Sequence, residues 1–365
     1  MRARHRVLLA VSLASATLVG CSTEQQAQES AAPSAAVATF GVRVPAVDQH
    51  KLQIADQVRG LDPCGFFDGE EFAAYTLSAT AGPARGLDDC AVGLTTAGRT
   101  RASGLATIAL AGDAPAPDET ETRPIAGEKV IVARTAAEDV DCVFKVPLRL
   151  PGSPTTSHDG ASTATPWARV EGSGFDDSEL NCQAATDATA ALVSALRENR
   201  APRREDATVT TTLADRSPCE LMPAVPTGYT ISRFDVQTRP YTCSFRVDGS
   251  AAGRYGSTVT VDFLLRPAAE ALEPAEGQQA VDVAGHAALR EESPGTGSCF
   301  VSMTAGPPLA SSATPKPSTT TSGTTTGTAS TAATRGQVVI RLFAGSCAVA
   351  DQLAPVAAEI FGANP

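Results

Sequence analysis

Apolar positions along this chain come in short alternating runs that read as strands, broken by turn-rich stretches and by a few segments of helical spacing. Cys90 to Leu94 and Ala102 to Leu110 have strand character. Lys129 to Ala133 and Cys142 to Val146 read as a hairpin with Glu138-Asp139 near its turn, and Trp167 to Val170 as a last short strand. Asp62-Pro63 opens a helical segment from Cys64 to Tyr75, because proline is tolerated in a first helical turn. Ala184, Ala188, Ala191, Leu192, Ala195 and Leu196 recur on one helical face, so Cys182 leads into an amphipathic helix ending near Arg197.

The same order returns downstream. A helix or turn starts at Cys219, and strands follow at 242–247, 257–265, around 287–290 and 298–304. A closing strand covers 337–343 and a closing helix 348–361. Each half is therefore expected to be α+β: an antiparallel sheet of about five strands, an N-terminal helix and a packed C-terminal helix.

Nine cysteines sharpen this repeat. With Cys21 set aside, Cys64, Cys90, Cys142 and Cys182 are spaced by about 26, 52 and 40 residues, and Cys219, Cys243, Cys299 and Cys347 by about 24, 56 and 48. Flanking residues agree: Asp62-Pro63-Cys64 with Ser217-Pro218-Cys219, and Ile125-Ala126-Gly127 with Val283-Ala284-Gly285. Two such sets describe a duplicated domain, and an even number favours disulfides. Three pairings are open within each set. Nearest-neighbour pairing closes moderate loops and is favoured: Cys64–Cys90, Cys142–Cys182, Cys219–Cys243 and Cys299–Cys347. Zinc is disfavoured, since no Cys-x-x-Cys occurs.

Cys21 is different. Arg2, Arg4 and Arg6 precede an apolar run, Val7 to Val19, that is too short to span a bilayer and closes on Leu18-Val19-Gly20-Cys21. This reads as a lipoprotein signal, with diacylglycerol on the Cys21 thiol and the body held at the extracytoplasmic face of the cell membrane. The expected organisation is a signal at 1–20 and a flexible Gln/Ala/Ser/Glu-rich tether at 21–45. The first four-cysteine domain spans 46–198, a polar linker 199–208, and the second domain 209–365. The second domain carries a Ser/Thr/Pro/Gly-rich insertion at 307–335 that is expected to be disordered, and the tract from Ser311 to Thr334 also suits O-glycosylation.

Formal charge is −11, and loss of the three signal arginines makes the mature chain more acidic still. Such a body is repelled by nucleic acid and by anionic headgroups, so no nucleic-acid partner is expected and the lipid is the anchor. Lysine occurs only at Lys51, Lys129, Lys145 and Lys316, which with abundant arginine and alanine suggests a high-GC, actinobacterial source.

The lipobox, the polar tether, Asp62-Pro63-Cys64 and the late Cys182-Gln183-Ala184-Ala185 together resemble a family of secreted actinobacterial lipoproteins. The second half keeps Cys347-Ala348-Val349-Ala350 but has Ser217 in place of the aspartate. The four-cysteine layout is also similar to extracellular sensor domains of mycobacterial receptor kinases, which implies a ligand cleft. No active site carries over from either resemblance.

Catalytic chemistry is hard to find. His5 leaves with the signal, His50 lies by the tether, His158 lies in a loop, and His286 has Glu128 as its counterpart in the repeat. No Gly-x-Ser-x-Gly, His-Glu-x-x-His, phosphate loop or Ser-x-x-Lys occurs. The acidic groups Asp68/Glu70/Glu71, Asp88/Asp89, Asp118/Glu119/Glu121 and Asp176/Asp177 read as solvated surface, with Asp176-Asp177 the nearest to a calcium site. The run Arg197, Arg200, Arg203 and Arg204 reads as a solvated helix end and linker, although it could also meet anionic sugars or phosphates. The expectation is a non-enzymatic envelope module without cofactor or metal, binding an unidentified ligand or protein. An envelope hydrolase without a recognisable motif and a plain spacer are the alternatives.

Overall fold

The computed structural model describes residues 37–68, 70–77, 82–83, 85–96, 104–133, 142–150, 165–175, 177–207, 211, 213–249, 257–309 and 336–362. The signal, Cys21, His158, Asp176 and the insertion from residue 310 to 335 lie outside the described residues.

A small hairpin, β1 (Val37–Thr39) with β2 (Val42–Val44), and a helix, α1 (Ala46–Arg59), come first. The strands of the first sheet are β3 (Tyr75–Leu77), β4 (Asp89–Thr96), β5 (Gly104–Gly112), β6 (Thr122–Ile125), β7 (Glu128–Ala133), β8 (Cys142–Pro147) and β9 (Trp167–Ser173). Helix α2 (Ser178–Arg197) follows. The second half gives β10 (Tyr229–Phe234), β11 (Thr242–Gly249), β12 (Ser257–Arg266), β13 (Gln278–Val283), β14 (His286–Glu292), β15 (Cys299–Leu309), β16 (Gly336–Ala344) and α3 (Cys347–Phe361).

Both halves are α+β, and both sheets have seven antiparallel strands in the same order: β3-β4-β5-β9-β8-β7-β6 and β10-β11-β12-β16-β15-β14-β13. The last strand of each half enters the sheet centre, and the helix that follows covers one face. The duplication is thus a duplication of topology.

Alternation explains the layers. Along β9, Ala168, Val170 and Gly172 are buried while Trp167, Arg169 and Glu171 are partly exposed on the opposite face. Four alanines of α2 (Ala184, Ala185, Ala188, Ala191) bring the helix very close to the sheet. A Cβ on Gly172 would fall 2.0 Å from the Asn181 carbonyl oxygen, so only glycine fits there. Asn181, fully buried, brackets Phe175 by accepting from its N–H at 3.0 Å and donating to its carbonyl at 3.1 Å.

Four disulfides join helical elements to strands. Cys64–Cys90 and Cys219–Cys243 tie the opening turns to β4 and β11, while Cys142–Cys182 and Cys299–Cys347 tie α2 and α3 to β8 and β15. These are the nearest neighbours in sequence. Both halves also carry a tight Ala-Gly hairpin turn with positive φ at each residue: Ala126 (48°) with Gly127 (79°), and Ala284 (53°) with Gly285 (85°). Left-handed pairs of this kind match the right-handed twist of the flanking strands.

Several expectations change. Each sheet has seven strands rather than about five, and those not anticipated, β3, β6, β10 and β13, are the four sheet edges. Edge strands are buried on one side at most and carry little apolar signal, as the exposed Thr122, Arg123 and Pro124 of β6 show. The expected helix at 64–75 is two short 3-10 turns, Gly65–Asp68 and Glu70–Phe72, followed by β3. Residues 307–309, assigned to the insertion, belong to β15, which runs to Leu309.

Residues 37–45, assigned to the tether, form β1 and β2 and bury Val44 completely. The linker is not loose either: Leu61 bridges to Arg203, the Asp62 backbone N–H donates to the Pro202 carbonyl, and Arg204 is buried.

Helix α1 went unanticipated because it is apolar on two faces rather than one. Ile54 and Val58, one turn apart, enter the first core, whereas Leu52 points about 200° away from Ile54 and joins the second core with Val44 and Leu87. It wedges between the two halves.

Replacing Gly172 by alanine drives a methyl into helix backbone that cannot yield. Urea unfolding of Gly172→Ala is expected to show a loss of about 1–3 kcal/mol, the usual range for overpacking. An unchanged midpoint would mean that α2 does not sit this close to β9.

Candidate functional site

Where the halves meet, two guanidinium groups leave water. Arg59, the last residue of α1, donates from Nε (3.3 Å) and Nη2 (2.7 Å) to the Pro240 carbonyl and pairs through Nη1 with Asp56. Arg204 donates from Nε to the Arg59 carbonyl (3.1 Å) and from Nη2 to the Leu87 carbonyl (2.6 Å). Both arginines are 6% exposed, and both lie 5.9 Å from the centre of the Tyr241 ring. Tyr241 donates its hydroxyl to the Ala214 carbonyl at 2.8 Å, and burial pushes its phenol well above the ordinary range. Leu265 N–H to the Arg85 carbonyl (3.2 Å) and an Arg239–Asp113 ion pair complete this seam.

Beside the seam lies a cleft of about 220 Å³ lined from three sides. Lys51 comes from α1. Gly112 and Trp167 come from the first sheet, Asp113 follows β5, and Asp235, Gln237, Thr238 and Arg239 come from the loop after β10. Trp167 is the only tryptophan of the chain. It faces Gly112 across the ladder to β5, where a Cβ would fall 2.9 Å from the Arg169 backbone nitrogen. Lys51 Nζ lies 3.6 Å from Asp48, whose carboxyl is raised by burial and further by the charge of Asp235.

A larger groove of about 620 Å³ runs between α2 and the 3-10 turns of the first half, edged by Asp68, Glu70, Glu71 and Glu198, with Arg200 paired to Glu198. It belongs to one half alone.

The other sequence candidates are engaged structurally. Asp89 accepts from the Arg85 and Gly86 N–H groups and locks a turn. Glu119 pairs with Lys145 at 2.7 Å. Asp177 caps α2 by accepting from the Glu179 N–H at 2.8 Å, which gives half of the candidate calcium pair a helix-capping role. Arg197 donates to the Ala126 carbonyl, and Arg204 belongs to the seam rather than to solvent. His50 sits on α1. His286 opens β14 with its ring against Gly362 at the end of α3, where a Cβ would fall 2.7 Å from Cε1. Among the described residues one trio of potential metal ligands converges, Glu292, Cys299 and Cys347, and its two sulfurs are bonded to each other. No described helix is long and apolar enough to cross a membrane.

Comparison with family models, with curated proteins and with solved structures finds no match to this chain. The arrangement of charges and surfaces is therefore the ground for a functional reading. Sequence reasoning gave a ligand cleft only as what the resemblance to sensor domains implies and missed its residues, because they lie far apart in the chain and form no motif. The one signal was the solitary tryptophan at the head of a central strand.

Arg204→Met should lower stability by about 3 kcal/mol in urea unfolding, because it strands two buried carbonyls. Arg200→Met, at an exposed pair, should cost less than about 1 kcal/mol. Equal effects would contradict a structural seam.

Half-buried Asp88 reports on the same junction. Its carboxyl is pushed up to about 6, first by burial and then by neighbouring Asp89, with Arg204 and Arg239 pulling it down. An acid raised on folding binds its proton more tightly when folded, so its stabilisation is complete below about pH 4 and is lost as pH rises to 6. Asp88→Asn removes that loss. Its stability relative to the parent should climb between pH 4 and 6 and then level off, and a flat difference across that window would contradict the assignment.

Proposed function

We propose that the protein is a lipid-anchored, non-enzymatic binding module of the cell envelope, held at the extracytoplasmic face through diacylglycerol on Cys21, and that its ligand sits in the interdomain cleft. The lipobox Leu18-Val19-Gly20-Cys21 supports the address. Four disulfides suit an oxidising compartment outside the cytoplasm. The resemblance to secreted actinobacterial lipoproteins, and to sensor domains with a ligand cleft, points the same way.

One observation carries the binding reading. The only tryptophan, partly exposed, lines a polar cleft whose walls come from both halves and whose width the seam fixes. Binding sites recur at domain junctions, where concave surface needs no loss of core. Convergence of an acid, a base and a nucleophile with the mutual geometry of a catalytic centre is not what this cleft offers. Its two bases are held in ion pairs, Arg239–Asp113 and Lys51–Asp48.

Two measurements test this. Cys21→Ala should move the protein from the membrane to the soluble fraction, and unchanged membrane retention would refute the anchor. Native mass spectrometry of protein isolated from its own envelope should show a discrete extra mass that leaves on denaturation and is absent from Trp167→Ala. The absence of that mass from the parent, or its persistence in the variant, would overturn the cleft.

A further inference from the structure

We infer that the cleft holds one neutral pyranose ring of a glycan, stacked on the Trp167 indole. This rests on the cleft being the binding site.

Charge comes first. Lys51 and Arg239 face three carboxylates, Asp48, Asp113 and Asp235, and the ion pairs Arg239–Asp113 and Lys51–Asp48 already engage both bases and leave the Asp235 carboxylate over. An anionic ligand is repelled by that surplus carboxylate, whereas Asp235 can accept hydrogen bonds from the hydroxyls of a neutral one. A neutral ligand has no such conflict.

The remaining lining sets its chemistry. Thr165, Gln237 and Thr238 supply hydroxyl and amide groups that both donate and accept. Trp167 supplies a broad flat apolar face with a polar N–H at its edge. A ligand that uses both must carry hydroxyls around a rim and C–H groups on a face, which is the description of a sugar ring. The volume, about 220 Å³, falls below the roughly 300–1,000 Å³ of sites for drug-sized ligands, so it takes one ring rather than an oligosaccharide.

The repeat supplies an internal control. Cys90 pairs with Ile108 and Ile108 with Val170, while Cys243 pairs with Val261 and Val261 with Leu342. Three residues before Val170 stands Trp167, and three before Leu342 stands Val339, which is fully buried. The fold therefore does not require an aromatic residue at this position. The second copy offers no such platform, so one ring is expected per chain.

The test uses detergent-solubilised full-length protein, with methyl α-D-mannopyranoside, methyl β-D-glucopyranoside and methyl β-D-galactopyranoside as probes. Sorbitol, sodium acetate and tetramethylammonium chloride are the comparisons. Trp167 fluorescence and saturation-transfer NMR are the two readouts. The expected result is a saturable response to at least one pyranoside and none to the acyclic sorbitol. By NMR, affinity should fall about tenfold in Trp167→Ala, a change of about 1.4 kcal/mol, and should recover in Trp167→Phe. Undiminished pyranoside binding by Trp167→Ala would overturn the inference.

Saturation by acetate or tetramethylammonium without any pyranoside response would also overturn it, while leaving the cleft as a binding site. Silence from every probe, with a Trp167-dependent mass still released from envelope-derived protein, overturns the sugar and keeps the cleft. Silence with no such mass overturns both.

Discussion

Two arginines out of water constrain everything else in this molecule. A buried guanidinium costs several kcal/mol unless its donors are met, and Arg59 and Arg204 meet theirs with carbonyls from three separate segments: Pro240, Arg59 itself and Leu87. Those carbonyls can be reached only when α1, the turn before β4, the connecting segment and the loop before β11 stand in one arrangement. Tyr241 lies against both charges and, kept neutral by burial, remains a π-face and a hydroxyl donor. The halves are thus set relative to each other by polar geometry, with Leu52 and Leu87 adding apolar contact to the second core. The cleft inherits its width from that arrangement.

Comparison of the two halves separates what the fold needs from what it does not. Strand order, two disulfides, the left-handed Ala-Gly turn and an arginine on the central strand (Arg169 and Arg341) occur in each half. Gly172 and Ala344 occupy matching places under their helices, opposite Cys142 and Cys299, and the glycine answers the closer approach of the Ala-rich α2. Trp167 against Val339 is a difference of another kind, since the valine is wholly buried and the tryptophan lines a cleft.

Much of this architecture was legible in the sequence because central strands and covering helices carry the strongest periodicity. β5, β8, β9, α2 and α3 fall close to their expected places. The edges β3, β6, β10 and β13 were invisible because one-sided burial leaves little pattern. Helix α1 was hidden for the opposite reason: Leu52 and Ile54 serve two cores, and no single apolar stripe remains. Arg204 looked like linker because burial of a charge follows from its partners, and Leu87 lies 117 residues away. For the same reason the residues of the cleft could not be named from the sequence. From Lys51 to Arg239, they share neither a motif nor a neighbourhood in the chain.

The central claim is that the seam makes the two halves one cooperative body. Urea unfolding of the intact, oxidised full chain, followed at once by Trp167 fluorescence and far-ultraviolet circular dichroism, tests it most directly. Fluorescence reports the cleft and the first sheet, while dichroism reports both halves. A single transition with the same midpoint by both probes is the predicted result. A fluorescence transition complete while about half of the dichroism signal persists would show halves that unfold separately, and would contradict a cleft held by Arg59 and Arg204.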